Sequence, residues 1–532
     1  MGDYIDLQNA SEVDDVVPDL LRPARRSVHP GQWGVAAPCN TENFKTRSQK
    51  HKPPAKDWSN RLTLESRSRS GSSLKAAFKH LQNPDVISLG GGLPLSEFFP
   101  FETFSFTPTF IPSNTTCGAN IVQQNAALQA NKNDIAEGRS VFDISVALNY
   151  GQGSGSAQLL RWITEHTEII HDPPYSDWQC TMTIGNTSAL DMALRMLTKP
   201  GDYVLSDAFT FASAIETAMP MGVNFFGVAM DEQGLLPESL LHVLDNWKPA
   251  EHGDARKPFL LYLIPTGQNP TGATQSIGRR KDIYRVAQKH DLIIIEDDPY
   301  YFLQMDPYVS STREEVPTAA NSWSSAALLK MIIPSYLSID VDGRVMRMDS
   351  FSKVISPGSR VGWITAPQSI VERYKGHADT STQGPSGFSQ LALFKLLDEF
   401  WGHTGYLEWL LHVRKEYTQR RDYMVRACER HLPRDIVTWE PAQAGMFQWL
   451  CVDWRKHPHA SVKSQAEIEE DIWREAITQG VLVARGSWFN ANADLRCEEI
   501  FYRTTFAAAS LDKIEEAMRR FGGALKKSFQ WS

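Results

Sequence analysis

The sequence predicts an α/β protein: a large domain on a mostly parallel sheet, joined to a smaller α+β domain. Three observations predict it. Between about residues 150 and 400, short apolar runs alternate with amphipathic stretches, the pattern left by strands joined through crossover helices. Directly after the first run, Ala189, Leu190, Ala193, Leu194 and Leu197 share one helical face, and Lys199-Pro200-Gly201-Asp202 ends that helix. Beyond about residue 405 the pattern changes to a long helical periodicity over Leu407–Leu432, followed by isolated strand-like pieces.

In chain order, residues 1–60 begin acidic, then carry Arg-Arg, several prolines and a Lys/Arg-rich run through Lys45–Lys56, a composition that predicts a flexible or loosely docked arm. Residues 61–140 are expected to contribute to the small domain and to hold an insertion loop at about 107–134, rich in Asn, Thr, Ser and Gln. Ser310 to Ser325 resembles that loop in composition. The large domain, 141–400, has predicted strands at Cys180–Ile184, Tyr203–Ser206, Phe259–Ile264, Leu292–Ile295, Val345–Met348 and Gly362–Ala366. The small domain, 401–532, has them at Met446–Val452 and Val481–Ala484. Ligands of such sheets bind beyond the C-terminal strand ends, so polar residues just after these runs are the place to look for chemistry.

The chain has 532 residues and a formal charge of −8, from 54 Lys+Arg against 62 Asp+Glu. That balance argues against a dedicated nucleic-acid binder or a basic membrane-surface protein, and no run of 18 apolar residues occurs. The six cysteines show no metal-ligand spacing, so no metal site is expected, and free thiols in a reducing compartment are. With an acidic N-terminus and no apolar signal segment, the expected location is cytoplasmic.

The most informative stretch is Asp349-Ser350-Phe351-Ser352-Lys353-Val354-Ile355-Ser356-Pro357-Gly358-Ser359-Arg360-Val361-Gly362. A lysine leaving an apolar strand, flanked by two serines and followed by arginine, offers an amine nucleophile beside an anion site. A carbonyl cofactor carrying a phosphate would fit both ends of it. The Gly185-Asn186-Thr187 turn opens the helix described above, where backbone N–H groups and the helix dipole also favour an anion.

The lysine segment resembles the signature of class I/II pyridoxal-5′-phosphate aminotransferases, of fold type I. Other stretches resemble that family in the expected order: Ser88-Leu89-Gly90-Gly91-Gly92-Leu93-Pro94, Ile264-Pro265-Thr266-Gly267-Gln268-Asn269-Pro270-Thr271-Gly272, Ile295-Glu296-Asp297-Asp298-Pro299-Tyr300-Tyr301 and Phe501-Tyr502-Arg503. The branch most similar holds fungal aromatic aminotransferases and kynurenine/α-aminoadipate aminotransferases. The resemblance implies pyridoxal 5′-phosphate as cofactor, small-molecule amino acid and 2-oxo acid substrates, and a homodimer with shared active sites. It implies transamination of tyrosine, phenylalanine or tryptophan with an acceptor such as 2-oxoglutarate, in general or specialised metabolism. Kynurenine or 2-aminoadipate as donor, and a C–S lyase on the same scaffold, stay open.

By the same resemblance Lys353 is the Schiff-base lysine and proton carrier, and Asp297 pairs with the pyridine nitrogen, with Asp298 its rival. Tyr300 and Asn269 would bond the phenolic oxygen, and Phe211 would stack on the ring. Phosphate would be held by Ser350, Ser352 and Arg360 and at Asn186 and Thr187, which depart from the family's usual residues and so point to the backbone contact more than to either side chain, with Tyr150 reaching the neighbouring subunit's phosphate. The substrate carboxylate would meet Arg503 and the Gly92 backbone, with Lys75 as a second basic residue beside Arg67 and Arg69. Arg485-Gly486-Ser487-Trp488-Phe489 departs from the family's usual Pro-Gly, and Trp488 and Phe489 could line an aromatic side-chain pocket.

Overall fold

The computed structural model describes residues 34–82, 85–112, 127–310, 325–492 and 499–531. Strands β1 (Thr103–Phe106) and β2 (Leu128–Asn131) form an antiparallel ribbon. The large domain carries β3 (Trp178–Thr183), β4 (Tyr203–Asp207) and β5 (Asn224–Val228), then a minor ribbon of β6 (Met230–Asp231) and β7 (Gly234–Leu235). It continues with β8 (Leu260–Leu263), β9 (Ile293–Asp297), β10 (Val345–Ser350) and β11 (Gly362–Pro367). Its seven-stranded sheet has the order β3-β11-β10-β9-β8-β4-β5. Only β11 runs against its neighbours, so the other six strands point the same way.

These strands are buried on both faces, which is why they read as continuous apolar runs instead of alternating ones. Helix Asn186–Leu197 buries the predicted face, with Ala189, Leu190, Ala193, Leu194 and Leu197 in the large core. Each leucine so buried contributes roughly 1.5–3 kcal/mol.

The small domain is a four-stranded sheet, β12 (Val437–Thr438), β13 (Phe447–Val452), β14 (Ala484–Arg485) and β15 (Ile500–Thr505), in the order β12-β13-β15-β14. Helices Gln465–Thr478 and Leu511–Ser528 cover it. Helix Gly402–His431 belongs to both domains. Its Tyr406, Leu407, Leu410 and Val413 lie in the large core, and its Met424, Ala427 and Cys428 in the small one.

Several expectations change. Residues 34–60 do not behave as a free arm: Trp58 is 1% exposed, the Cys180 N–H donates to Thr41 Oγ1 at 2.7 Å, and Lys45 lies 4.5 Å over the Trp178 ring. Their charged side chains lie over the large domain, leaving Trp58 and Phe44 to enter its core. The rest of the expected arm, 1–33, lies outside the described residues.

The small-domain core includes no described residue of 61–140. Leu62 joins the large core, and Phe104, Ala130 and Phe142 pack with Leu391 and Phe394 in a separate cluster. The end of the expected 107–134 loop is strand β2, and residues 113–126 lie outside the described set, as does most of Ser310–Ser325. The strand expected at Val481–Ala484 begins only at Ala484, because β14 pairs through Ala484 and Arg485 alone with Arg503 and Tyr502. Cys39, Cys180 and Cys428 are free thiols. Among the described residues no helix is long and apolar enough to cross a membrane.

Candidate active site

Sheet register gathers the chemistry at one edge. Gly362 lies opposite both Thr183 and Ser350, and Met348 opposite Asp297, so the ends of β3, β10 and β9 and the start of β11 are adjacent. Lys353 sits in the turn that leaves β10 and is half-buried. Its ammonium is held below the usual lysine value, first by loss of water and then by Arg503 and Arg360, while Asp297 opposes them. A depressed pKa is what a nucleophilic or proton-carrying amine needs near neutral pH. The turn is fixed from two sides: Ser350 Oγ donates to Ser352 Oγ at 2.8 Å, and the Trp409 indole donates to the Val354 carbonyl at 2.6 Å.

Beside it lies an anion cup. Gly185 caps helix Asn186–Leu197 with φ of 78°, and Arg360 donates to the Ile184 carbonyl at 3.1 Å. A Cβ on Gly185 would stand 2.5 Å from Arg360 Nη2, so only glycine allows both the turn and the guanidinium. The free N–H groups of the helix's first turn and Arg360 then share one space suited to a phosphate. Thr187 is exposed at its rim, and Phe211, which precedes helix Ala212–Ala218, is half-buried against the large core.

Strand alternation separates the two aspartates. Asp298 faces the same way as Glu296, into a cluster around the fully buried Arg347. That guanidinium lies 2.9 Å from Glu296, 3.5 Å from Asp298 and 2.8 Å from Asp349, and 4.5 Å over the Tyr301 ring. Asp297 faces the opposite side. Tyr262 OH donates to its Oδ2 and Asn186 Nδ2 to its Oδ1, each at 2.7 Å. Burial pushes the Asp297 pKa up, and those two hydrogen bonds, Arg347 and Lys353 work against the rise.

From the small domain, β15 brings in Arg503, whose Nη1 donates to Asn269 Oδ1 at 2.6 Å. The guanidinium lies between two rings, 4.3 Å from Phe447 and 4.7 Å from Phe489. Tyr300 is buried and packed edge-on to Phe447 at 5.9 Å, and burial raises its pKa. The unusual Arg485-Gly486 loop is pinned by Glu469, which accepts Ser487 N at 3.0 Å and Ser487 Oγ at 2.6 Å and pairs with Arg485 at 3.0 Å. That anchor seats Phe489 beneath Arg503. Trp488 instead stands half-exposed against Trp473 at 5.7 Å.

Lys353, Asp297, Asn186, Tyr300, Asn269, Arg360 and Arg503 are thus drawn toward one edge. Other expected residues are engaged differently. Lys75 lies 3.3 Å from Asp379, whose carboxylate also accepts Gly153 N at 2.8 Å, so its charge anchors the Gly-rich loop. Tyr150 is 57% exposed, and Gly92 lies in an exposed stretch with Leu89 and Phe98. Asn186 turns its side chain to Asp297 instead of outward to the anion cup. Sequence reading missed Tyr262, Phe447, Glu469 and Arg347. A lone tyrosine inside the aliphatic run Leu260–Leu263 was the available signal for the first.

The sequence profile of the family "Aminotransferase class I and II" matches residues 113–521. An aromatic amino acid aminotransferase of Schizosaccharomyces pombe is 45% identical over 482 residues, 89% of this chain and 99% of that one. An L-tyrosine:2-oxoglutarate aminotransferase of Serpula lacrymans is 32% identical over 478 residues, 85% of this chain and 87% of that one. The crystal structure of an aminotransferase from Candida albicans superposes with a TM-score of 0.81 at 39% identity, covering 90% of this chain and 100% of that one. Similarity running through both domains, on a sheet edge whose lysine, carboxylate and anion cup suit a phosphorylated aldehyde, means that the chain belongs to the class I and II aminotransferases and uses pyridoxal 5′-phosphate.

Proposed function

We propose that the protein moves the amino group of an aromatic amino acid, tyrosine, phenylalanine or tryptophan, to a 2-oxo acid such as 2-oxoglutarate. The observation that carries this reading is Arg503 held between Phe447 and Phe489: a cation for the α-carboxylate set directly among aromatic rings. The aromatic donors named for the fungal relatives point the same way.

The bound cofactor supplies an electron sink for the substrate's α-carbon. This chain's residues do the rest. Lys353 Nζ would take the proton from the α-carbon and return it. Asp297 would keep a proton on the ring nitrogen, Tyr300 and Asn269 would bond the phenolic oxygen, and Arg360 with the Gly185 turn would hold the phosphate. Phe211 would stack on the ring. Arg503 would orient the carboxylate through two parallel hydrogen bonds.

The test is a single-turnover absorbance scan of the holoenzyme with phenylalanine, tyrosine, tryptophan, kynurenine, 2-aminoadipate and aspartate, with mass detection of the 2-oxo acid. Aromatic donors are expected to bleach the cofactor band and yield the matching oxo acid. A response confined to kynurenine or 2-aminoadipate, or elimination products alone, would overturn the reading.

The working unit we propose is a homodimer in which Tyr150 completes the neighbouring subunit's phosphate site. Supporting it, Tyr150 is 57%, Ile87 86%, Leu89 94% and Phe98 82% exposed, apolar surface that a second copy would cover. Sedimentation equilibrium should give twice the chain mass. An active monomer would sink the proposal.

A further inference from the structure

We infer that Asn186 and Tyr262 are positioning residues for the ring-nitrogen partner: together they clamp Asp297 so that one ionised oxygen face is presented to the cofactor's pyridine. The inference rests on the cofactor reading above and deepens it, since the Gly185-Asn186-Thr187 turn pointed to a phosphate contact chiefly through its backbone and the Asn186 side chain is turned to Asp297.

The geometry is specific. Asp297 is buried at the end of β9, where an ionised carboxylate with unfilled acceptor sites would protonate instead of staying charged. Each oxygen receives one neutral donor, Asn186 Nδ2 on Oδ1 and Tyr262 OH on Oδ2, both at 2.7 Å. The Asn186 amide has no freedom to reverse. Its nitrogen also donates to the Met348 carbonyl at 3.1 Å, so turning the amide over would set oxygen against two acceptors. Its Oδ1 is buried with no hydrogen-bond partner and lies 3.1 Å from where a Cβ of Gly362 would be. Gly362 therefore makes room for this one orientation, and the orphaned oxygen is the cost of keeping the donor on Asp297.

Tyr262 comes from the middle of β8, with three strands between it and β3 in the sheet, and its ring is fully buried. Arg347, on the far side of β10, adds a long-range attraction that keeps Asp297 charged without touching it. Two neutral donors thus fix the carboxylate's plane while leaving its remaining lone pairs for the incoming N–H.

The test is cofactor binding to the apoenzyme of wild type, Asn186→Ala and Tyr262→Phe. The probes are pyridoxal phosphate, pyridoxal without the phosphate, and the analogue in which carbon replaces the ring nitrogen. Each variant is expected to weaken pyridoxal phosphate and pyridoxal by the same factor, about tenfold for loss of one hydrogen bond to a charged group. Binding of the carbon analogue is expected to stay unchanged. Loss with both phosphorylated probes but not with pyridoxal would assign Asn186 to the phosphate. Loss with all three would mean a general structural defect, and loss with none would mean no role; each of these overturns the inference. Tyr262→Phe keeps the buried ring and carries the test if Asn186→Ala does not fold. Wild-type protein that binds neither aldehyde would instead overturn the cofactor reading itself.

Discussion

Lys353→Ala is expected to lower the transamination rate by at least about 10³-fold, because one residue is asked to supply both the covalent amine and the mobile proton. The holoenzyme should lose its visible absorbance band at the same time. Thermal unfolding should move by only a few degrees, since Lys353 is half-buried in a turn held by the Ser350–Ser352 and Trp409–Val354 hydrogen bonds, none of which uses its side chain. Stopped-flow absorbance and scanning calorimetry on the same preparation separate these effects. A small exogenous amine should restore part of the proton transfer. Wild-type turnover in the alanine variant would remove Lys353 from the chemistry altogether.

Arg503→Ala carries the second largest expectation. Removing one partner of a desolvated charge pair costs about 2–5 kcal/mol, so kcat/KM for the amino acid should fall by about 30-fold or more. Most of the loss should appear in KM, because the carboxylate is bound in ground state and transition state alike. Arg503→Lys should recover little: an ammonium can neither lie flat between Phe447 and Phe489 nor span the carboxylate while bonding Asn269. Steady-state kinetics with an amino acid and with its decarboxylated amine checks the assignment. A drop that is equal for both would place the role of Arg503 elsewhere.

Much of this was readable from sequence where chemistry is local in the chain. Lys353, its serines and Arg360 lie within eleven residues, and the Gly185 turn announces itself by opening a patterned helix. The choice of Asp297 over Asp298 followed from the spacing to Tyr300 in the resembling family, and the structure adds a reason in strand alternation. Nothing in spacing, by contrast, reports that Asn186 and Asp297 meet across 111 residues. Nor does spacing reveal that Glu469 on a surface helix secures the loop carrying Phe489. β15 was noticed for Arg503 but not as a strand, although it is the central partner of both β13 and β14. Residues 34–60 were misread because composition alone describes their charged surface and not Trp58 and Phe44, which anchor them in the large core.

The helix Gly402–His431 joins the two halves of the site in one continuous element. Trp409 grips the Lys353 turn, while Met424, about 22 Å further along at 1.5 Å per residue, is embedded in the core that carries Arg503. Between those points Arg414 donates to the Gln304 carbonyl and Arg421 to the Ala442 carbonyl, so the rod is tied to both domains along its length. The spacing between amine and carboxylate clamp is therefore set by a helix and not by a loop, so a proline placed in the rod between Trp409 and Met424 should misalign Arg503 with Lys353 although it touches neither.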